Sequence, residues 1–333
     1  MKLDVYTHIF PLAFFERMKE VAPDKGAIKR WLNVPVLWDV DARLRMMEEF
    51  GEYQQVLTHS MPPVEFLAGK NHSPDLARLA NDGMHALCQK YPDRFPAFVA
   101  SLPMNNPEAA EREIDRAVRE LDARGAQIFT HVNGRPLDEP EFAFVFEKMA
   151  QYDLPLWLHP ARGANFPDYP SEKKSKYEIW WTFGWPYKTS AAMARIVFSG
   201  LFDKLPDVKI IAHHLGAMVP FFEGRVGHGW DQLGTRTADE DYQSLLASMK
   251  KRPIDYFRMF YADTATFGSL PAIRCGLDFF GADRCLFASD CPFDPEGGPM
   301  YIRETIRCLD ALDATEEERE KLYLKNARRL LKL

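Results

Sequence analysis

No apolar stretch in this 333-residue chain approaches the roughly 20 residues that cross a bilayer, so no membrane partner is expected. A hydrophobic signal-peptide core is missing too, since Met1-Lys2-Leu3-Asp4 runs straight into a strand-like segment. Cysteine is scarce. The five cysteines, Cys88, Cys275, Cys285, Cys291 and Cys308, are odd in number and form no C-x-x-C pair, which argues against a disulfide framework. Together these absences predict a cytoplasmic protein with reduced thiols. There is no Lys/Arg stripe either. The 42 Lys+Arg against 48 Asp+Glu leave a net charge of −6, and a nucleic-acid partner is not expected. The densest basic run, Arg328-Arg329 with Lys332, reads as the solvated face of a helix.

What is present is material for a large core, with 46% hydrophobic residues and 27% charged. Short β-branched or aromatic runs predict eight strands: Leu3–His8, Gln54–His59, Phe95–Ser101, Ala126–Val132, Leu154–His159, Val208–His214, Arg258–Asp263 and Arg284–Asp290. Helical-period stretches lie between most of them: Asp41–Phe50, Ser73–Lys90, Pro107–Arg124, Pro140–Gln151, Thr189–Leu201 and Leu270–Phe280. Met300–Leu312 and Ala314–Leu333 follow the last strand, the latter opening on Thr315-Glu316-Glu317-Glu318, a favourable helix start. Gly125 and Gly281 are expected as left-handed caps.

This alternation predicts an α/β fold, a closed (β/α)8 barrel, with a doubly wound sheet as the alternative. The phasing of polar residues favours the barrel. His8, His59, His131, His159, His214, Asp263 and Asp290 all fall at or near predicted strand ends, which form a barrel's active-site mouth. Three long connections, Pro11–Trp38, Ala161–Lys188 and Gly224–Tyr256, lie on the mouth side. The second carries Phe166, Tyr169, Tyr177, Trp180, Trp181, Phe183, Trp185 and Tyr187, suited to a planar substrate, a subunit contact or a hydrophobic cap.

His8, His159 and Asp290 end three strands that a barrel brings together. Two imidazoles and a carboxylate suit a divalent cation with open positions for water or substrate. A lone strand-end histidine is usually structural; the spacing over the whole chain is what carries the metal reading.

With these motifs the sequence resembles the metal-dependent decarboxylase branch of the amidohydrolase superfamily, over nearly its whole length. The carriers are Asp4-Val-Tyr-Thr-His8, Leu156-Trp-Leu-His159-Pro160, Ile211-Ala-His-His-Leu-Gly216 leading to Pro220 and Arg225, and Phe287-Ala-Ser-Asp290-Cys-Pro292. The resemblance implies a single barrel domain over 1–333 and one metal, zinc first and manganese second, held by His8, His159 and Asp290. It implies His214 as acid/base, with Asp290 assisting, and Arg225 as a substrate-carboxylate contact across a dimer or higher homo-oligomer. Strand alternation turns His213 to the opposite face from His214. Arg43 is a second carboxylate contact, with Arg45 as its alternative and a solvated helix charge as the competing reading.

Two departures bear on the chemistry. Tyr6 stands where the family carries the first histidine of H-x-H. A phenol ligates poorly until deprotonated, so Tyr6 is read as a phenolate ligand, a hydrogen-bond donor to substrate, or the mark of a weakened metal site. The predicted fourth strand, Ala126-Gln-Ile-Phe-Thr-His-Val132, lacks the lysine that bridges two metals in binuclear relatives, so the expectation is mononuclear. The implied activity is non-oxidative decarboxylation of an aromatic or muconate-type carboxylic acid. The alternatives are hydrolysis of a lactone, ester or amide, or hydration, and, in a different class, a catalytically dead binding protein.

Overall fold

Short runs of β-branched and aromatic residues pair side by side in the computed structural model, which describes residues 1–22 and 28–333. In chain order they are β1 (Lys2–His8), β2 (Tyr53–Thr58), β3 (two pieces, Ala97–Phe98 and Ala100–Ser101), β4 (Ala126–Phe129), β5 (Leu156–His159), β6 (Ile210–Ala212), β7 (Tyr261–Asp263) and β8 (Cys285–Leu286). Each pairs in parallel with the next, β3 through its first piece to β2 and its second to β4. The ring closes between β8 and β1, where the Val5 N–H donates to Phe287 O at 3.0 Å and the His8 N–H to Cys291 O at 2.8 Å. A ring with no free edge is the expected (β/α)8 barrel and removes the doubly wound alternative.

The helices Val40–Met47, Ser73–Lys90, Pro107–Arg119, Ala143–Tyr152, Gly184–Phe198, Pro253–Phe257, Leu270–Phe280 and Pro299–Asp310 cover the outside. Local chemistry starts several of them. The Asn106 side chain accepts from the Ala109 N–H at 3.2 Å, and Pro107 follows where its missing N–H costs nothing. Thr315 and Glu318 form a reciprocal capping box at the expected start of the C-terminal helical segment. Gly125 is not a helix cap. Its helix stops at Arg119, and a Cβ at 125 would sit 2.3 Å from the Trp157 ring and 2.5 Å from Pro155 O, so close packing demands the glycine. Gly281 has φ +78° with extended ψ, a positive φ that suits glycine without being a left-handed helical turn.

All three long connections hold more helix than expected, Ala161–Lys188 carrying Ile179–Thr182 and the start of Gly184–Phe198. Pro11–Trp38 contains Leu12–Val21, with Phe14, Phe15 and Met18 buried, while its residues 23–27 lie outside the described residues. Gly224–Tyr256 contains Tyr242–Ser248 and the start of Pro253–Phe257. No described helix is long and apolar enough to cross a membrane, and all five cysteines are free thiols.

The barrel interior positions the site. Leu3, Val5, Tyr6, Val56, Val99, Trp157, Ile211, Leu286 and Ala288 form one buried cluster, and the Trp157 Nε1–H donates across the lumen to Val5 O at 3.0 Å. Strand period two then sends the next inward residue of each strand to the mouth. Tyr6 is followed by His8, Trp157 by His159, Ile211 by His213 and Ala288 by Asp290.

Candidate active site and metal centre

Five donor side chains converge at the mouth. The ligand atoms of His8, His159 and His213 lie within 4.8 Å of one another, as do those of His213, His214 and Asp290. Asp290 Oδ1 is 3.0 Å from His8 Nε2 and 3.4 Å from His213 Nε2. Neither nitrogen has a hydrogen bond of proper geometry, although both are buried. Around a cation with bonds of about 2.1 Å, neighbouring ligand atoms stand about 3.0–3.4 Å apart, so these spacings fit a bound ion.

The opposite ring nitrogens are all anchored. His8 Nδ1 lies 3.2 Å from His59 O and 3.0 Å from Thr58 Oγ1, and His159 Nδ1 is 2.7 Å from Pro160 O. His213 Nδ1 is 2.7 Å from Asp263 Oδ2, and Asp263 Oδ1 accepts from the N–H groups of His214 and Ala265. Such partners fix the ring orientation and leave Nε2 free to ligate. Burial lowers the pKa of His8 and, helped by the charges of His8 and His213, that of His159 further still, which keeps both neutral and able to bind a metal. Burial opposes charge on His213 as well, but Asp263 and Asp290 outweigh it and push it up to about 9, so proton and cation compete for the same Nε2. Burial would raise Asp290, but its contacts with His213 and His8 hold it well below the usual carboxylate range. Asp4 supports this end of the barrel from beneath. It accepts from Ser289 Oγ at 2.5 Å, the Ser289 N–H at 3.1 Å and Tyr53 OH at 2.7 Å, tying β1 to the segment that carries Asp290.

The alternation expected to separate His213 from His214 breaks at the end of β6. His213 still donates its N–H to Leu158 O at 3.3 Å, and then His214, Leu215 and Ala217 take φ of 55°, 56° and 57°. This left-handed backbone brings the His214 ring over His213, with ring centroids 3.7 Å apart. Both imidazoles therefore reach the mouth. His214 Nδ1 lies 2.8 Å from Ala265 O, and burial together with the neighbouring His213 charge pushes its pKa down to about 4.

Tyr6 is wholly buried with its hydroxyl unpartnered, and its ring stacks on His213 at 3.8 Å. Burial, reinforced by Asp263 and Asp290, raises its pKa well above the ordinary value, so the phenol keeps its proton while no cation is bound. Arg225 is exposed over the Phe222 ring and lies outside the cluster of its own chain. The Arg43 expectation is corrected. Its guanidinium is fully buried and donates to Val36 O at 3.0 Å, to Gln55 Oε1 at 2.6 Å and to His8 O, so it braces β1 rather than meeting a substrate. Arg45 is exposed. Arg43→Leu should cost roughly 3 kcal/mol of stability in urea denaturation. The folded enzyme should keep its substrate KM, and a KM raised tenfold would restore the carboxylate role.

The walls are aromatic. Trp185 meets His159 edge-on at 5.6 Å and packs against Trp180 and Trp181, so the aromatic connection does border the cluster. Phe129 faces His159 at 5.2 Å, Phe293 faces His8 at 5.3 Å and Phe267 faces His214 at 5.2 Å. Phe293 carries Arg30 stacked on its ring, a cation that no motif singled out.

A closed parallel barrel with imidazoles and a carboxylate gathered at its C-terminal face defines a metal-dependent enzyme class. Within it, the chain belongs to the amidohydrolase family, whose model matches residues 31–333. It is 32% identical over 309 residues to the γ-resorcylate decarboxylase of Polaromonas sp. (strain JS666), covering 88% of this chain and 87% of the relative. Among solved structures, it superposes with a TM-score of 0.79 and 28% identity on a dihydroxybenzoic acid decarboxylase from the same Polaromonas strain, with bound manganese and 2-nitroresorcinol, covering 100% and 97% of the two chains. The 5-carboxyvanillate decarboxylase of Novosphingobium aromaticivorans, complexed with manganese and 4-hydroxy-3-methoxy-5-nitrobenzoic acid, gives a TM-score of 0.83 at 26% identity, covering 100% and 96%.

Proposed function

We propose that this chain is a metal-dependent, non-oxidative decarboxylase of a hydroxylated aromatic carboxylic acid. The observation that carries the reading is the convergence of His8, His159 and Asp290 beside His214 at an aromatic-walled mouth. Likeness to decarboxylases of such acids over nearly the full chain supports it. His8, His159 and Asp290 would hold the cation, and manganese is favoured over zinc because two similar structures carry it. When bound, the cation draws charge from the substrate carboxylate and a neighbouring oxygen.

The chain's own residues do the rest. Trp185, Phe129 and Phe293 would sandwich the planar ring and exclude water. His214, neutral because of its lowered pKa, keeps its one proton on Nδ1 facing Ala265 O and presents a bare Nε2 that can take up a proton and hand it on. As the carbon–carboxylate bond breaks, its electron pair stays on the ring carbon. A proton from solvent, relayed through His214 Nε2 with Asp290 assisting, forms the new C–H bond and CO2 leaves. Arg225 would reach the neighbouring subunit's substrate in a homodimer or higher oligomer, with residues 1–333 working as one domain in the cytoplasm.

Product analysis tests the reading. Incubation with 2,6-dihydroxybenzoate or a related phenolic acid in D2O containing ¹⁸O should yield CO2 and one deuterium on the ring. The aromatic product should carry no new ¹⁸O. Ring opening or ester cleavage with ¹⁸O in the product would replace decarboxylation by hydrolysis.

A further inference from the structure

Tyr6 leaves the first strand one nitrogen short of the H-x-H pair, and the inward face of β6 offers a nitrogen in its place. His213 follows Ile211 by two residues, and Ile211 packs in the lumen with Trp157. Its ring therefore enters the mouth in phase with His159 rather than lying on the barrel wall. Its Nδ1 is spent on Asp263 at 2.7 Å. Its Nε2 is buried without a hydrogen bond, shares the three-histidine cluster with His8 and His159, and stands 3.4 Å from Asp290 Oδ1. Tyr6 completes the exchange from the other side. Its ring lies on the His213 ring at 3.8 Å with an interplanar angle of 17°, as a wall that holds the imidazole in place.

We propose that His213 is a metal ligand in this chain, supplying the nitrogen that Tyr6 lacks, with Asp263 as the residue that positions it. The cation would then be held by His8, His159, His213 and Asp290, with His214 left free for the proton. The proposal rests on the metal-dependent reading above and makes a separate claim about which side chains hold the ion.

The test is elemental analysis together with pulsed EPR on Mn²⁺-loaded protein, compared across wild type, His213→Gln, His214→Gln, Asp263→Asn and Asp290→Asn. Wild type should bind about one ion per chain with three histidine nitrogens on Mn²⁺. His213→Gln should drop the nitrogen count to two and weaken binding more than tenfold by chelator competition, while His214→Gln changes neither. Asp263→Asn should weaken affinity about 10–100-fold. Tyr6→His placed on His213→Gln should restore the third nitrogen. The wild-type count needs no variant to fold, and thermal melting of each apo-variant separates lost ligation from lost structure. Wild-type Mn²⁺ with only two histidine nitrogens, or three that persist in His213→Gln, would overturn the ligand role while leaving a metalloenzyme. A wild type that takes up no divalent metal would instead bring down the metal-dependent reading itself.

Discussion

Replacing Asp290 by alanine should empty the barrel mouth of its cation and lower turnover by at least about a thousandfold. Among the described residues, Asp290 is the one carboxylate whose oxygen touches both His8 and His213, at 3.0 and 3.4 Å. Its contacts with those imidazoles keep it ionised despite burial. Without that charge nothing in the cluster offsets a divalent ion among neutral rings. Lewis-acid stabilisation is worth several kcal/mol, and each 1.36 kcal/mol is a factor of ten in rate, which sets the expected loss. The backbone at Asp290 has φ 64°, a left-handed conformation that asparagine tolerates better than alanine. Asp290→Asn therefore serves as the control that keeps the local fold while removing the charge. Metal content by elemental analysis and kcat on the substrate found by screening are the two readouts. A variant that keeps one ion per chain and most of its turnover would remove Asp290 from the site.

Much of this site was legible because polar residues at strand ends have few structural reasons to be in phase. His8, His159 and Asp290 stand out by that phase together with the family motifs that contain them, and the family model supports the barrel frame. The prediction for His213 failed on one backbone feature. Alternation holds up to His213, whose N–H still follows the β5 ladder, and fails at His214, where φ turns positive. No residue type announces that turn, because glycine is not present until Gly216. Parity carries the signal instead: Ile211 belongs to the lumen, so His213 does too. Arg43 was opaque for a different reason. Its partners, Gln55 and the carbonyls of His8 and Val36, meet it only once the helix Val40–Met47 packs against the barrel, and nothing local to Asp41-Ala-Arg-Leu-Arg marks one arginine for burial. The strand ends were overextended because the ladders stop early. Val208–His214 pairs only over Ile210–Ala212, and the remaining residues belong to the turn that aims the histidines.

His214→Gln should separate the proton from the metal. The variant is expected to keep about one ion per chain and lose about 10²–10⁴-fold in kcat, the usual worth of a positioned acid/base. The reasoning is geometric. His214 stacks on His213 at 3.7 Å and is held through Nδ1 by Ala265 O at 2.8 Å, so its Nε2 is set beside the cluster while His8, His159 and Asp290 remain intact without it. Glutamine retains hydrogen-bonding capacity and approximate size but cannot carry a proton between oxygen and carbon. The loss should therefore fall on kcat with KM nearly unchanged, whereas loss of metal would move both. Deuterium supplies a second readout. If proton delivery to the ring carbon limits the variant, its turnover in D2O should show a larger solvent isotope effect than the wild type. Metal lost together with activity would place His214 among the ligands instead, and near-normal kcat would assign the proton transfer to Asp290 alone.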